Sequence, residues 1–215
     1  MPQTSRYQKR YGKKVKKGKG KKRVIILLVM AVAAVVLIFN TSKFYNKTEN
    51  KLQKLSYPVK YSEYVEKAAQ DYDLDPALIY SVMRTESHFD PEAQSSVGAC
   101  GIMQIMPSSF EWLQEKRGCP DTYTSQDLFN PKICIDYGSY LLKYFLDYYG
   151  NERCAIAAYN AGFVVSDWLA DKQYSADGEN LQSIPYPETE SYVSKVENAK
   201  QMYIKLYYSD NNSSK

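Results

Sequence analysis

The chain has 215 residues and a formal charge of +4, from 28 Lys or Arg against 24 Asp or Glu. That average joins two unlike parts: residues 1–23 hold 11 of the basic residues and no acidic one, so the remainder carries an acidic excess of seven. A tail of Lys, Gly and Tyr cannot bury a core, and basic charge confined to it argues against nucleic acid as a partner of the chain's body.

After the tail comes VIILLVMAVAAVVLIF, Val24 to Phe39, with no charged or hydrogen-bonding side chain. As a helix rising about 1.5 Å per residue it would span roughly 24 Å. The hydrocarbon core is ~30 Å thick, a deficit that snorkelling of Lys22 and Arg23 or local thinning can cover. An uncleaved transmembrane anchor is expected. A cleaved secretory signal competes with it, but the small-x-small triplet Ala31-Val32-Ala33 lies inside the apolar run rather than after it. No Cys follows the run, so a lipid-modified N-terminus is not expected. The positive-inside rule puts residues 1–23 in the cytoplasm and everything after residue 40 outside. The tail then acts as a topology determinant attracted to anionic lipid. Residues 40–56 are polar and read as a linker, and residues 57–215 form one domain, long enough for a real core.

Within that domain the pattern is helical. Ser62 is placed to cap a helix reading EYVEKAAQDY. Asp75-Pro76 is a cap followed by a first-turn proline, with Leu74 and Ile79 at the staple positions. Asn130-Pro131 repeats this logic and opens a helix carrying Ile133, Tyr137, Leu141, Tyr144, Phe145 and Tyr148, which Gly150 closes. Further helices are expected near 152–160, 164–170 and 189–207. No strand alternation is convincing, and the fold class is all-α. The 21 tyrosines serve the core and its rim, and any excess suits a sugar groove.

All four cysteines, Cys100, Cys119, Cys134 and Cys154, fall in the exported part, where an even count permits two disulfides in any of three pairings. Buried free thiols are the alternative, because Cys154 lies in an apolar helical stretch. Without a C-x₂-C pair, and with His88 as the only histidine, no metal site is implied.

The helix after Asp75 carries the chemistry. Ile79, Val82, Met83 and Glu86 stand at i, i+3, i+4 and i+7, which puts a carboxyl on an apolar stripe near the helix end. Burial and the negative end of the helix dipole both favour the neutral acid, the form a general acid needs. The plainer alternative is a Glu at the stripe's edge that reaches solvent or pairs with Arg84 or a Lys.

Residues 86–107 read ESHFDPEAQSSVGACGIMQIMP. With Glu86, Ser87, Phe89, Asp90, Pro91, Ala93, Ser95, Gly98, Ala99, Gly101, Met103, Gln104, Met106 and Pro107 in register, the segment resembles lytic transglycosylases of the soluble-transglycosylase (SLT) catalytic-domain type, relatives of goose-type lysozyme. Two more blocks of that family recur in order: Ala158-Tyr159-Asn160-Ala161-Gly162, then Pro185-Tyr186-Pro187-Glu188-Thr189 with Tyr192-Val193.

The resemblance implies a lysozyme-like helical domain with a substrate cleft, preceded here by the membrane helix. It implies cleavage of the β-1,4 bond between N-acetylmuramic acid and N-acetylglucosamine in peptidoglycan. Glu86 would serve as acid and then base, without the second carboxylate of ordinary glycosidases. The substrate's N-acetyl carbonyl would stabilise the positive charge, and its C6 hydroxyl would close a 1,6-anhydro ring. By the same resemblance Ser95, Gln104, Met106, Tyr159, Asn160, Glu188 and Tyr192 would bind substrate, and Met103 is a cleft or core position. Glu188 reads equally as a helix-start residue beside a Thr189 cap. Gly98 and Gly101 suit a tight turn. Asp90 belongs to the Asp-Pro turn rather than to catalysis, and exposed His88 is given no role. Glu190 stands where the family usually has Arg, which puts that Arg's salt bridge in doubt. No cofactor is implied. A muramidase that admits water, or a non-catalytic glycan-binding module of an envelope machine, are the competing functions. Wall growth, spore processes, or a secretion or conjugation apparatus would all suit such an enzyme.

Overall fold

The computed structural model describes residues 25, 27–30, 35, 37–41 and 49, and then 51–209 without a break. The chain divides into two units, Met1–Leu52 and Gln53–Lys215. In the first unit the described residues are helical. Among the described residues no helix is long and apolar enough to cross a membrane. The expected anchor Val24–Phe39 lies partly outside them, since residues 24, 26, 31–34 and 36 are not described. The basic tail, residues 1–23, lies wholly outside them.

The second unit holds seven α-helices among its described residues. They are α1 (Ser62–Tyr72), α2 (Pro76–Ser87), α3 (Pro107–Lys116), α4 (Pro131–Tyr149), α5 (Glu152–Ala161), α6 (Val165–Ala170) and α7 (Pro187–Tyr203). A 3₁₀ turn, Ser125–Phe129, precedes α4, and a π-helical stretch, Ile204–Tyr208, follows α7. The all-α expectation holds here, with only isolated bridges at Gln94–Cys100 and Cys100–Ile105 among the described residues.

Local chemistry sets most helix starts. The Asp75 carboxylate accepts the Ala77 N–H at 2.8 Å, and the Asn130 amide oxygen accepts the Lys132 N–H at 3.0 Å. Both caps precede a proline whose missing N–H costs nothing in a first turn. Gly150 ends α4 in the left-handed conformation, φ 63°, with its N–H on Leu146 O. Two expected caps are corrected. Ser62 is the first residue of α1, whose cap position falls on left-handed Tyr61 without a side-chain bond. Thr189 lies inside α7, because Tyr186 takes the cap position and Pro187 starts the helix. Helix α3 was not expected, although it too opens on a proline, and Phe110, Leu113 and Gln114 form its buried seam.

The core lies between α2 and α7, with α4 and α5 packed together and α1 laid on α4. Val65, Leu78, Ile79, Val82, Met103, Leu142, Ile156 and Val196 are among its buried residues. Helices α5 and α7 are also clamped by charge. Arg153 meets Glu190 and Glu197 at 2.9 Å, and Lys200 meets Glu152 at 2.6 Å and Asp75 at 3.4 Å. The charge reversal at Glu190 thus finds its cation on α5. Such partly exposed pairs contribute at most about 1 kcal/mol each, so they set register more than stability.

All four cysteines are free thiols. Each is engaged separately. Cys154 Sγ points to Glu179 O at 3.5 Å, Cys119 Sγ lies 3.5 Å from the Tyr137 hydroxyl, Cys134 Sγ accepts the Met103 N–H at 3.4 Å, and Cys100 Sγ donates to Gly98 O at 3.2 Å.

Candidate active site

Helix α2 ends in a way that leaves Glu86 at the edge of the core. His88 and Phe89 both adopt positive φ, 54° and 67°. The His88 N–H bonds Arg84 O, and the Phe89 N–H reaches back to Met83 O, a 6→1 closure. Phe89 is 2% exposed, so burial of its ring offsets the cost of a left-handed backbone. Ser87 then donates to Ile102 O at 2.8 Å and fastens the helix end to the following loop.

That loop is folded back on itself. Cys100 and Ile105 exchange two backbone hydrogen bonds, and the Gly101 N–H bonds Ala93 O at 2.8 Å. Gly101 has φ 75°, and a Cβ there would stand 2.0 Å from Leu128 O, so no side chain fits. Gly138 on α4 serves Met103 in the same way, because a Cβ would stand 2.5 Å from the methionine sulfur. Met103 is therefore a core residue, fully buried, whereas Met106 is 37% exposed at the groove.

Glu86 is half-buried, and its Oε1 accepts the Tyr192 hydroxyl proton at 2.7 Å. Burial pushes its pKa up to about 7, and the Tyr192 hydrogen bond draws it down only in part. Among the described residues no cation contributes to its titration. Arg84, the partner considered from sequence, instead donates to Ser56 O at 3.0 Å and lies over the Tyr57 ring. Among the described residues no second carboxylate contributes to its titration either. Asp90 is exposed and accepts the Glu92 N–H in the turn after α2.

Tyr159 and Tyr192 both have hydroxyl pKa values held well above the usual range by burial, with the Glu86 charge adding to the shift. Tyr159 donates to Met103 O at 2.9 Å, joining α5 to the loop. Next to it, Asn160 Oδ1 accepts the hydroxyl of buried Thr189 at 2.8 Å, which leaves the amide NH₂ as the free end of that side chain. Tyr159, Asn160 and Met106 line a groove of about 440 Å³ together with Ser108, Ser109, Trp112 and Phe163.

The remaining expected residues fall less centrally. Gln104 has φ 49° and donates its amide to Ala93 O and Gly101 O, so half of its hydrogen-bonding capacity holds the loop. Ser95 Oγ accepts the Ala99 N–H at 2.9 Å within the same loop. Glu188 is exposed in the first turn of α7. Sequence reasoning passed over Thr189 as an orienting group and Trp112 and Phe163 as groove walls. The contact of Thr189 with Asn160 spans 29 positions and leaves no local trace.

The site thus holds one carboxyl, raised by burial to about 7, against the Tyr192 hydroxyl, and its charge acts on Tyr159, which lines the groove. The family model described as Transglycosylase SLT domain matches residues 63–181, more than half of the chain, and the chain belongs to that family. It is 33% identical over 143 residues to the soluble lytic murein transglycosylase of Salmonella typhimurium, covering 65% of this chain and 22% of that protein. It is 29% identical over 180 residues to the membrane-bound lytic murein transglycosylase C of Cronobacter sakazakii, covering 74% of this chain and 49% of that protein. Among solved structures, an inactive mutant of the lytic transglycosylase Slt from Pseudomonas aeruginosa matches with a TM-score of 0.62 at 30% identity, over 71% of this chain and 25% of that one. The chain thus spans between about a quarter and a half of the length of these relatives.

Proposed function

We propose that the chain is a membrane-anchored lytic transglycosylase that cuts peptidoglycan glycan strands between N-acetylmuramic acid and N-acetylglucosamine, with Glu86 as acid and base. The observation that carries this is a half-buried carboxyl with a pKa of about 7, held by Tyr192 and with no second carboxylate acting on it among the described residues. A two-carboxylate glycosidase needs a nucleophile or a second base, and among the described residues no other carboxylate contributes to the titration of Glu86.

Protonated Glu86 gives its proton to the glycosidic oxygen as the C1–O bond breaks. The muramic acid N-acetyl carbonyl supports the positive charge at C1. The carboxylate then takes the proton of the C6 hydroxyl as that oxygen bonds to C1. Glu86 ends as it began, no water is consumed, and the new end is 1,6-anhydro. Tyr192 steadies the carboxylate between the two transfers. The Asn160 amide donates to the substrate, fixed in that sense by Thr189. Gln104 Oε1 and the Ser95 hydroxyl proton are the groups those side chains retain for the sugar. Met106 and Tyr159 form apolar wall, and Glu188 stands at the rim.

The anchor rests on separate support. The described apolar residues between Ile25 and Phe39 are 59% to 66% exposed, a cost in water that hydrocarbon removes. A relative named as membrane-bound accords with this. In this reading the basic N-terminal tail stays in the cytoplasm and the catalytic domain lies on the wall side of the membrane.

The deciding experiment is mass spectrometry of peptidoglycan digested by the full chain in detergent, with Glu86→Gln as control. Muropeptides ending in 1,6-anhydro-muramic acid, absent with the variant, are the expected products. Reducing ends released in a Glu86-dependent way would instead make it a muramidase. Binding without any cleavage would make it a wall-binding module. Protease protection on intact cells tests the topology, and a tail cut from outside would overturn it.

A further inference from the structure

A charged hollow near the start of α4 has no part in the proposed reaction. It encloses about 330 Å³ between α1, α4 and the segment that follows α3. Its lining shares no residue with the groove that holds Tyr159, which takes Leu141 and Phe145 from further along α4. Tyr64, Tyr123 and Tyr137 supply ring walls, while three cations and two carboxylates supply charge.

Most of that charge is already matched. Lys67 meets Asp71 at 2.7 Å, and Arg117 meets Asp136 at 2.7 Å. Arg117 is also fixed in place, over the Tyr137 ring at 4.4 Å and donating to the Tyr72 hydroxyl at 2.9 Å. Among the described residues Lys132 is the cation of this lining left without an ion pair, and only its backbone N–H is engaged, by Asn130. With both pairs balanced the hollow keeps one positive charge, on a chain whose residues after the basic tail carry an acidic excess of seven. An anion that the acidic surface repels is drawn to this place.

The same lining narrows the choice of anion. Asp71 and Asp136 oppose a compact polyanion such as phosphate, which brings more negative charge than Lys132 matches. A neutral sugar leaves Lys132 unmatched. A peptide end has one carboxylate for the ammonium, amide N–H groups for the carboxylate and phenol oxygens, and apolar atoms for the rings. The volume stands at the low end of the ~300–1,000 Å³ usual for ligand sites, which suits a chain end and not a folded partner.

We infer that this hollow is a second binding site, for a short peptide ending in a free carboxylate, with Lys132 pairing the carboxylate and the three tyrosines receiving the body. None of these groups takes part in the proposed cleavage, so failure of the Glu86 chemistry leaves this site to be judged by itself.

The test is isothermal titration calorimetry of the full chain in detergent at low salt. The probes are N-acetyl-D-alanyl-D-alanine, its L,L counterpart, and the C-terminal amide of each. The acids are expected to bind and the amides to bind about tenfold more weakly. Lys132→Gln should cost the acids about the same factor, and Lys132→Arg should retain their binding. Lys143→Gln removes the same charge from the same helix outside the hollow and should change affinity less than twofold. Unchanged melting temperatures show that these exposed substitutions leave the fold intact. A preference for D-alanine ends marks wall peptides as the source, a preference for L-alanine ends marks a protein tail, and either upholds the site. No heat from any peptide, equal affinity for acid and amide, or an equal loss in the Lys132→Gln and Lys143→Gln variants overturns it.

Discussion

Two carboxyl groups of this protein have been driven in opposite directions by their surroundings. Glu86 sits half-buried with a single O–H donor, from Tyr192, and burial pushes it up to about 7. Asp177 lies exposed in the loop before α7 and is held well below the usual carboxylate range by many donors. The Asn180 amide, the N–H groups of Glu179 and Asn180, and the Ser175 hydroxyl all point at it. Both groups have ordinary chemistry, so the difference is the count of donors against the loss of water. One becomes an acid able to give up a proton at neutral pH. The other stays ionised at neutral pH and ties a loop together.

The largest test of this contrast is on activity. Glu86→Gln keeps the shape and removes the exchangeable proton, and glycan cleavage should fall by about 10²–10⁴-fold or more in a muropeptide assay. An active variant would remove Glu86 from the mechanism. The same substitution should raise stability at high pH. With a folded pKa above its ordinary value of 4.5, Glu86 leaves stability intact below about pH 4.5 and subtracts from it as pH climbs to about 7. Thermal unfolding at pH 8 should therefore favour the Gln variant by on the order of 2 kcal/mol, discounted for the open side of the cleft, with no gain at pH 4. An equal effect at both pH values would mean that burial does not govern the acid.

Smaller changes sharpen the comparison. Tyr192→Phe deletes the one donor that lowers the Glu86 pKa, so the alkaline limb of the kcat–pH profile should move to higher pH. An unmoved limb would show that Tyr192 does not set the acid. Asp177→Asn should lower the melting temperature at neutral pH, with the deficit shrinking below about pH 4. The depressed carboxyl contributes only where it is ionised, and its contribution is lost as pH falls through its folded value. A deficit independent of pH would assign the loop's stability to shape instead of charge.

Much of this was legible before any coordinates, where the physics is local. The caps Asp75 and Asn130 announce themselves through a side-chain oxygen two residues before the N–H it accepts, with proline between. Glu86 stands out because helical periodicity places a carboxyl on an apolar stripe within one helix. The three ordered motif blocks place Tyr159, Asn160 and Tyr192 near it in expectation; in the fold Tyr192 bonds Glu86, Tyr159 feels its charge, and Asn160 meets Thr189 in the groove lining.

Other features could not be read in this way. Ser62 was a good cap by residue type, yet the chain enters α1 through left-handed Tyr61. Thr189 looked like a cap and proved to be the partner of Asn160. The reversed charge at Glu190 looked like a lost salt bridge until α5 presented Arg153 to it. An even number of cysteines permitted disulfides, but each thiol lies against its own separate partner.

By itself, then, the sequence determined the all-α class of the domain and most helix boundaries, and it singled out Glu86 as the candidate acid, because caps, periodicity and motif order act over a few residues. Only the tertiary structure decided that no cation among the described residues acts on Glu86, that Tyr192 donates to it, and that Trp112 and Phe163 line the groove. These depend on which helices approach across long separations, and burial at such a meeting point belongs to no single segment.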